Sequence, residues 1–313
     1  MIFRPKFRTL VEIFQHGVRQ HAERPLFGVK RGGSWRWTTY SELGRKVDRL
    51  RSALDARGIG PFDRVAIVSN NRPEWAIVAH ATYGLRAALV PMYQAQRDAE
   101  RVHILRDSGA KIAFVANEAI RAGLEASRED LPALEHIVVF DVRSGHEGSF
   151  ESMLAEGDKR PVDVAAVEES DIAGFIYTSG TTGKPKGATL SHANIAHNVS
   201  ALHDIFPLSP EDRSLSILPW AHVFGQTVEL HALFSMGASM AISASTRDVP
   251  TELVEVQPTV LFGVPKLFDR FYDALVTERE TSHGLKRTLL ASAIENAKVR
   301  QELARERRAS GAV

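Results

Sequence analysis

The sequence predicts an α/β fold with helices on both faces of mostly parallel sheets. Two observations predict it. Runs such as "RVAIVS" (64–69) and "KIAFVA" (111–116) are short and almost wholly apolar, as strands buried on both faces must be. Between those runs lie segments whose apolar residues recur at helical spacing and which carry their own start and stop signals.

In chain order, Leu43, Val47, Leu50 and Leu54 form one helical stripe behind a capping box at Thr39 and Glu42, and Gly58 ends the run. The strand 64–69 follows, then "NNRPEW", where Pro73 suits the first turn of a helix. Further strands are expected at 87–91, 111–116 and 136–140. Residues 141–170 are polar, acidic in places and weakly periodic, so they read as a connector. Alternation then resumes with strands expected at 174–178, 214–218, 238–243 and 259–263. A helix over 192–206 presents Ile195, Val199, Leu202 and Phe206 as one stripe. From Leu285 the chain reads as a single long helix, apolar at Leu285, Leu289, Leu290 and Ile294 and then mostly charge and alanine. The expected organisation is a first α/β subdomain at 1–150, a connector at 151–170 and a second α/β subdomain at 171–313.

Composition excludes several function classes. With 313 residues, 39 basic against 38 acidic side chains and a net charge of +1, the chain lacks the basic excess that nucleic-acid binding requires. It has no cysteine, which removes disulfides, thiolate nucleophiles and cysteine-ligated zinc. The N-terminus has no uninterrupted apolar stretch, so no signal peptide is expected, and no window approaches 18 apolar residues. A cytoplasmic protein without a transmembrane segment is the expectation, with peripheral membrane contact left open.

The chemistry concentrates in "YTSGTTGKPKG", Tyr177 to Gly187. Only two residues separate Gly180 from Gly183 and Pro185 follows Lys184, so the spacing is not that of a Walker loop. No G-x-G-x-x-G opens a helix after a strand either. The flanks read as strands, so the loop should join strand to strand. Gly180, Gly183 and Gly187 permit close approach of the main chain to oxygen atoms. Thr178, Ser179, Thr181 and Thr182 add hydroxyls, and Lys184 and Lys186 add charge. Such a set can hold a polyphosphate.

The whole string, followed by "SHANI" with His192, resembles the phosphate-binding signature of adenylate-forming enzymes. "SILPWAHVFGQTVEL" (216–230) resembles that family's next landmark. "NNRPEWAI" (70–77), "VPMY" (90–93), "DSGAKIAFVAN" (107–117) and "PTVLFGVPKLFDRFYDAL" (258–275) are similar to the long-chain fatty acyl-CoA synthetase branch. The resemblance covers about residues 10–290. It implies two stacked α/β subdomains of the adenylate-forming fold, ending before that fold's C-terminal domain.

It also implies ATP-dependent conversion of a fatty acid to acyl-adenylate and then, with CoA as co-substrate, to acyl-CoA. In that scheme Lys186 steadies the β and γ phosphates, Thr181 and Thr182 contact phosphate or its Mg²⁺, and His222 orients the acid. The implied catalytic residues are thus Lys186, His222 and Thr181, with Thr181 also the metal contact. Thr178, Ser179, Gly180, Gly183, Lys184 and Gly187 complete the nucleotide set. Trp220, His222, Val223, Phe224, Gly263 and Val264 form the implied acyl side. No acid lies between Arg213 and Val228, so a substrate ammonium would find no partner there and a plain carboxylic acid fits better.

The family's Tyr-Gly-x-Thr-Glu and Thr-Gly-Asp motifs and its C-terminal lysine signature are absent from this sequence. "YGLR" at 83–86 lacks the Thr-Glu. Two readings therefore stand: the N-terminal part of a ligase completed by a separately encoded half, or an inactive fragment or binding module that keeps the phosphate loop. The first reading carries the expectation that this chain alone gives no fatty-acid-dependent ATP–pyrophosphate exchange.

Overall fold

A computed structural model describes residues 4–142, 148–158, 160–179 and 183–310. The chain forms two compact units, Met1–Phe262 and Gly263–Val313.

Among the described residues, six strands build the larger sheet of the first unit. β3 (Arg64–Val68), β4 (Ala88–Met92), β5 (Ile112–Val115), β6 (His136–Val139) and β7 (Ile172–Ser179) run parallel, and β8 (Pro185–Ser191) closes one edge antiparallel to β7. The order is β6-β5-β3-β4-β7-β8. Alternation with period two divides these strands between two cores. Val65, Ile67, Ile112 and Phe114 face one core, whereas Ala66, Val68, Ala113 and Val115 face the other. Both faces are buried, which is why the strands read as unbroken apolar runs.

A second sheet has the order β2-β1-β10-β9. β1 (Pro25–Arg31) and β2 (Ser34–Thr39) form a hairpin whose turn, Gly32-Gly33, has φ of 58° and 81°. Positive φ at both central residues matches the right-handed twist of the strands, and glycine reaches it without strain. β9 (Arg213–Ser216) and β10 (Ser239–Ile242) lie parallel to β1 and each other. The sheets interleave distant segments: β7 and β8 join strands of the first 140 residues, and β1 and β2 join strands from beyond residue 210.

α1 (Leu10–Gln20), α2 (Tyr40–Asp55) and α3 (Pro73–Gly84) pack on the larger core, while α4 (Asp98–Ser108) and α5 (Glu118–Glu125) supply residues to the smaller one. The capping box at Thr39 and Glu42 is present, and Pro73 opens α3. α7 (His192–Ile205) starts at a cap from Ser191. Its first residue, His192, is buried, accepts a hydrogen bond from the Leu10 N–H at 3.2 Å on Nδ1, and packs edge-on against Tyr83. His80 and His231 are buried beside it, with ring centroids 5.5 Å apart and, among the described residues, no hydrogen-bond partner on either ring nitrogen.

Two expectations need correction. Residues 141–170 are more than a connector, because α6 (Phe150–Gly157) forms behind a Ser149 cap and buries Phe150, Met153 and Leu154. Those three residues make a stripe too short to stand out against polar flanks. Residues 259–263 form no strand; Val260 makes a lone bridge to Ser214. Pro258, just past α10 (Val249–Val256), and Pro265 bracket the segment, and Pro265 opens α11 (Pro265–Thr281), so little extended backbone is left to pair. α11 and α12 (Gly284–Ser310) make up most of the second unit. Among the described residues no helix is long and apolar enough to cross a membrane.

Candidate functional site

Strand joins strand through the glycine-rich loop, as its flanks predict. β7 and β8 pair Tyr177 with Gly187, Thr178 with Lys186 and Ser179 with Pro185. Gly180, Thr181 and Thr182 lie outside the described residues, so the structure places the hairpin stem and the far side of the loop. Two contacts fix that stem to α4. The Tyr177 hydroxyl donates to Asp107 Oδ2 at 2.6 Å, and His103 Nε2 donates to the Pro185 carbonyl at 2.9 Å. Burial first, and then the Asp107 carboxylate, push the Tyr177 hydroxyl well above its ordinary pKa, so it remains a donor. A Cβ on Gly187 would meet the Tyr177 ring at 2.9 Å, so glycine lets the ring lie across the stem.

At the loop, Gly183 takes a φ of 93°, the left-handed region that favours glycine. Thr178, Lys184 and Lys186 are exposed, and neither lysine makes an ion pair or hydrogen bond among the described residues. Two uncompensated ammonium groups and a hydroxyl on one anchored hairpin suit an anion with several oxygens.

The second landmark follows β9. The turn Leu218-Pro219-Trp220 is clamped by Asn71, which stands just beyond β3. Asn71 Nδ2 donates to the Leu218 carbonyl at 2.7 Å and to Ser216 Oγ at 3.2 Å, and its Oδ1 accepts from the Trp220 N–H at 2.8 Å. One side chain thus ties the carboxyl ends of β3 and β9, and so the two sheets, together. A crevice of about 200 Å³ opens there, lined by Asn71, Tyr93, Ser216 and Ser243 among others. Crevices beyond the carboxyl ends of parallel strands are where α/β folds hold ligands. The β7–β8 loop leaves its sheet at the same end, since β7 is parallel to β4 and β3.

His222 caps the short helix α8 (Val223–Gly225), its Nδ1 accepting from the Phe224 N–H at 3.1 Å. Nε2 is then the ring atom left to carry a proton and donate outward. His222 and Phe224 are exposed and Val223 is half-buried. Trp220 instead lies in the core, edge-on to Trp75 and against Phe27. Gly263 and Val264 open the second unit, where Val264 precedes α11.

α8 runs on into a π-helix (Gln226–Leu233) and α9 (Phe234–Met236). Insertions of this kind recur at functional sites because they re-aim a side chain. Here the segment carries Glu229, fully buried, against the same turn. Ser216 Oγ donates to Glu229 Oε2 at 2.5 Å and the Ile217 N–H to Oε1 at 3.3 Å. Burial pushes the Glu229 carboxyl up to about 7, against hydrogen bonds from Ser216 and neighbouring groups that lower it. Close packing is obligatory at Gly225, where a Cβ would sit 2.3 Å from the Pro219 carbonyl oxygen. Asn71, Ser216 and Glu229 are supporting residues that sequence reasoning missed. The available signal was an Asn followed by Arg-Pro at a helix start, and an acid inside an otherwise apolar helix.

The family model of AMP-binding enzymes matches residues 14–311. The chain belongs to the AMP-binding enzyme family. Among curated relatives of the chain, long-chain-fatty-acid–CoA ligase 5 of Rattus norvegicus is 28% identical, over 92% of this chain and 45% of that protein. Long-chain-fatty-acid–CoA ligase 1 of Homo sapiens is 31% identical, over 90% of this chain and 43% of that protein. The chain therefore spans under half the length of the curated relatives it matches. Among solved structures, a long-chain-fatty-acid–CoA ligase of Archaeoglobus fulgidus superposes with a TM-score of 0.76 at 21% identity, over 89% of this chain and 56% of that one. At that identity the likeness speaks to the fold, which is the α/β fold of adenylate-forming ligases.

Proposed function

We propose that this chain is the phosphate-binding and carboxylate-facing part of an enzyme that activates a fatty acid as acyl-adenylate and then as acyl-CoA. The observation that carries the reading is the β7–β8 hairpin, with Lys184 and Lys186 unpaired among the described residues, Thr178 exposed and Gly183 at positive φ on an anchored stem. In the first step a carboxylate oxygen of the fatty acid attacks the α-phosphorus of ATP and the bond to pyrophosphate breaks. In the second the sulfur of CoA attacks the acyl carbonyl, its proton leaves, and AMP departs. Negative charge shifts onto phosphoryl oxygens in the first step, and Lys186 and the loop donors would stabilise it there. His222, with Nε2 as its free donor, would hold the incoming carboxylate beside Val223 and Phe224.

Mg²⁺ would supply further neutralisation of phosphate charge. Thr181, the residue proposed to touch it, lies outside the described residues. The proposed compartment is the cytoplasm, and a separately encoded remaining half is a proposed partner. A second reading rests on the same hairpin: a binding module whose exposed lysines hold phosphate without turnover.

Calorimetric titration with ATP and Mg²⁺ tests the site. Lys186→Ala should weaken binding by about tenfold or more, the value of one charge-assisted contact. Equal binding by both proteins would remove Lys186 from the site. Fatty-acid-dependent exchange of pyrophosphate into ATP that appears when the remaining half is supplied, and is abolished by the same substitution, would separate the enzyme from the binding module.

A further inference from the structure

A cavity of about 580 Å³ opens among α1, α2 and α3 in the first unit. It shares no lining residue with the crevice at Asn71 or with the phosphate hairpin. Its size falls in the range of about 300–1,000 Å³ that small-molecule sites occupy. Val11, Phe14 and Val18, one stripe of α1, give it an apolar wall. Its charge is one-sided. Arg19 of α1 and Arg45 of α2 line it, are exposed, and make no ion pair or hydrogen bond among the described residues. The one lining acid, Asp48, is already matched by Arg51 at 2.8 Å.

The independent observation is His80. It lines the same cavity from α3, is 3% exposed, and has no hydrogen-bond partner on either ring nitrogen among the described residues. Its ring stacks on Phe14 with centroids 4.5 Å apart, so the ring is held at the apolar wall. Its nitrogens are closed off, so the ring acts as part of that wall and reports on what lies against it. Two guanidinium groups without partners among the described residues, beside an apolar wall, describe a receptor for a molecule with an apolar body and an anionic head.

We propose that this cavity is a second ligand site, taking a monoanionic amphiphile such as a free medium-chain carboxylate. The head lies with Arg19 and Arg45 and the body against Val11, Phe14 and Val18. Because the site is separate from the proposed acyl and nucleotide site, it stands or falls independently of that reading.

Decanoate, decanol and inorganic phosphate are titrated into the full chain by calorimetry, while the His80 ring resonance is followed by NMR and assigned with His80→Phe. Decanoate should bind, shift that resonance, and bind at least tenfold more weakly to the Arg19→Ala/Arg45→Ala variant. His222→Ala and Lys186→Ala should leave this binding unchanged. Two surface arginines can be removed without disturbing the core, so a loss in the double variant reports recognition. Decanol binding as tightly as decanoate would mean a merely apolar cavity, and phosphate doing so a merely cationic patch; either overturns the proposal. So does undetectable decanoate binding, binding indifferent to the double substitution, or binding abolished by His222→Ala, which would place the acid in the acyl site.

Discussion

Replacing Glu229 by Gln should make this protein more stable at pH 8 and slightly less stable at pH 5. In the folded chain the carboxyl titrates at about 7, against 4.5 when unfolded, because it is buried. A carboxyl raised in this way contributes stability that is fully present below pH 4.5 and is lost as pH rises to 7. At 1.36 kcal/mol per pH unit the loss amounts to about 1 kcal/mol by pH 5 and about 3 kcal/mol by pH 8. Glutamine never ionises. Its oxygen can accept from Ile217 and its NH₂ can donate to Ser216, leaving one N–H unpaired at a cost of about 1 kcal/mol. The net expectation is a gain of about 2 kcal/mol at pH 8 and a difference near zero, or a small loss, at pH 5. Urea unfolding of both proteins at both pH values, followed by tryptophan fluorescence, measures it. Trp220 sits in the core beside this turn and reports the transition. An identical difference at the two pH values, or a larger loss at pH 8, would refute the view of Glu229 as a carboxyl held back from ionising by burial.

Three further outcomes are expected. Asn71→Ala removes both partners of the 218–220 turn, leaving the Trp220 N–H and the Leu218 carbonyl unmatched, and should cost about 2–4 kcal/mol in urea unfolding; a loss under about 0.5 would mean the turn holds itself. Gly157→Ala puts a Cβ 1.8 Å from the Arg49 carbonyl oxygen and should push α6 off α2, destabilising by at least about 2 kcal/mol and exposing 150–157 to proteolysis, whereas a neutral substitution would show that α6 packs elsewhere. In the second unit, Phe268, Tyr272 and Leu275 of α11 and Leu285 and Leu289 of α12 are all exposed. The chain should therefore bind an apolar-surface dye and self-associate in sedimentation, and a monodisperse monomer without dye binding would contradict this.

Most of the first unit was legible because its determinants are local. Strands β3, β4 and β5 announce themselves by burial on both faces, and α2 and α3 by a capping box and a first-turn proline. The β1–β2 hairpin was equally local, with Gly32-Gly33 between two short runs, yet its strands carry Lys, Arg and Thr and show little apolar signal. Pairing was the hidden part. Nothing in the sequence says that β1 lies beside β10, or that β7 joins β4 through the register Leu89 with Gly174. The same holds at the site. The hairpin could be read as strand–loop–strand from its flanks, but the Asn71 clamp spans 147 residues to Leu218 and exists only once both sheets are assembled. Trp220 illustrates the converse: its place in a landmark says nothing of which way its ring turns, and the ring turns into the core.

The buried histidines set the range of conditions this chain can survive. Burial holds His192 down to about 4 and His231 to about 3, so neither accepts a proton in the folded state until the solution is strongly acid. Unfolded, both would take one near 6.5. For a lowered group the stabilisation is intact above pH 6.5 and drains away as pH falls towards the folded value. The two together withdraw about 8 kcal/mol by pH 3, comparable to the whole stability of about 5–15 kcal/mol typical of a folded domain. Acid therefore acts on this protein as a denaturant through its interior, and His192→Gln, which keeps an acceptor for the Leu10 N–H, should carry the fold further into the acid range. By pH 5 the withdrawal is only about 4 kcal/mol, and the Glu229 carboxyl returns about 2 kcal/mol of it as it regains its proton, so the fold should fail well below that pH.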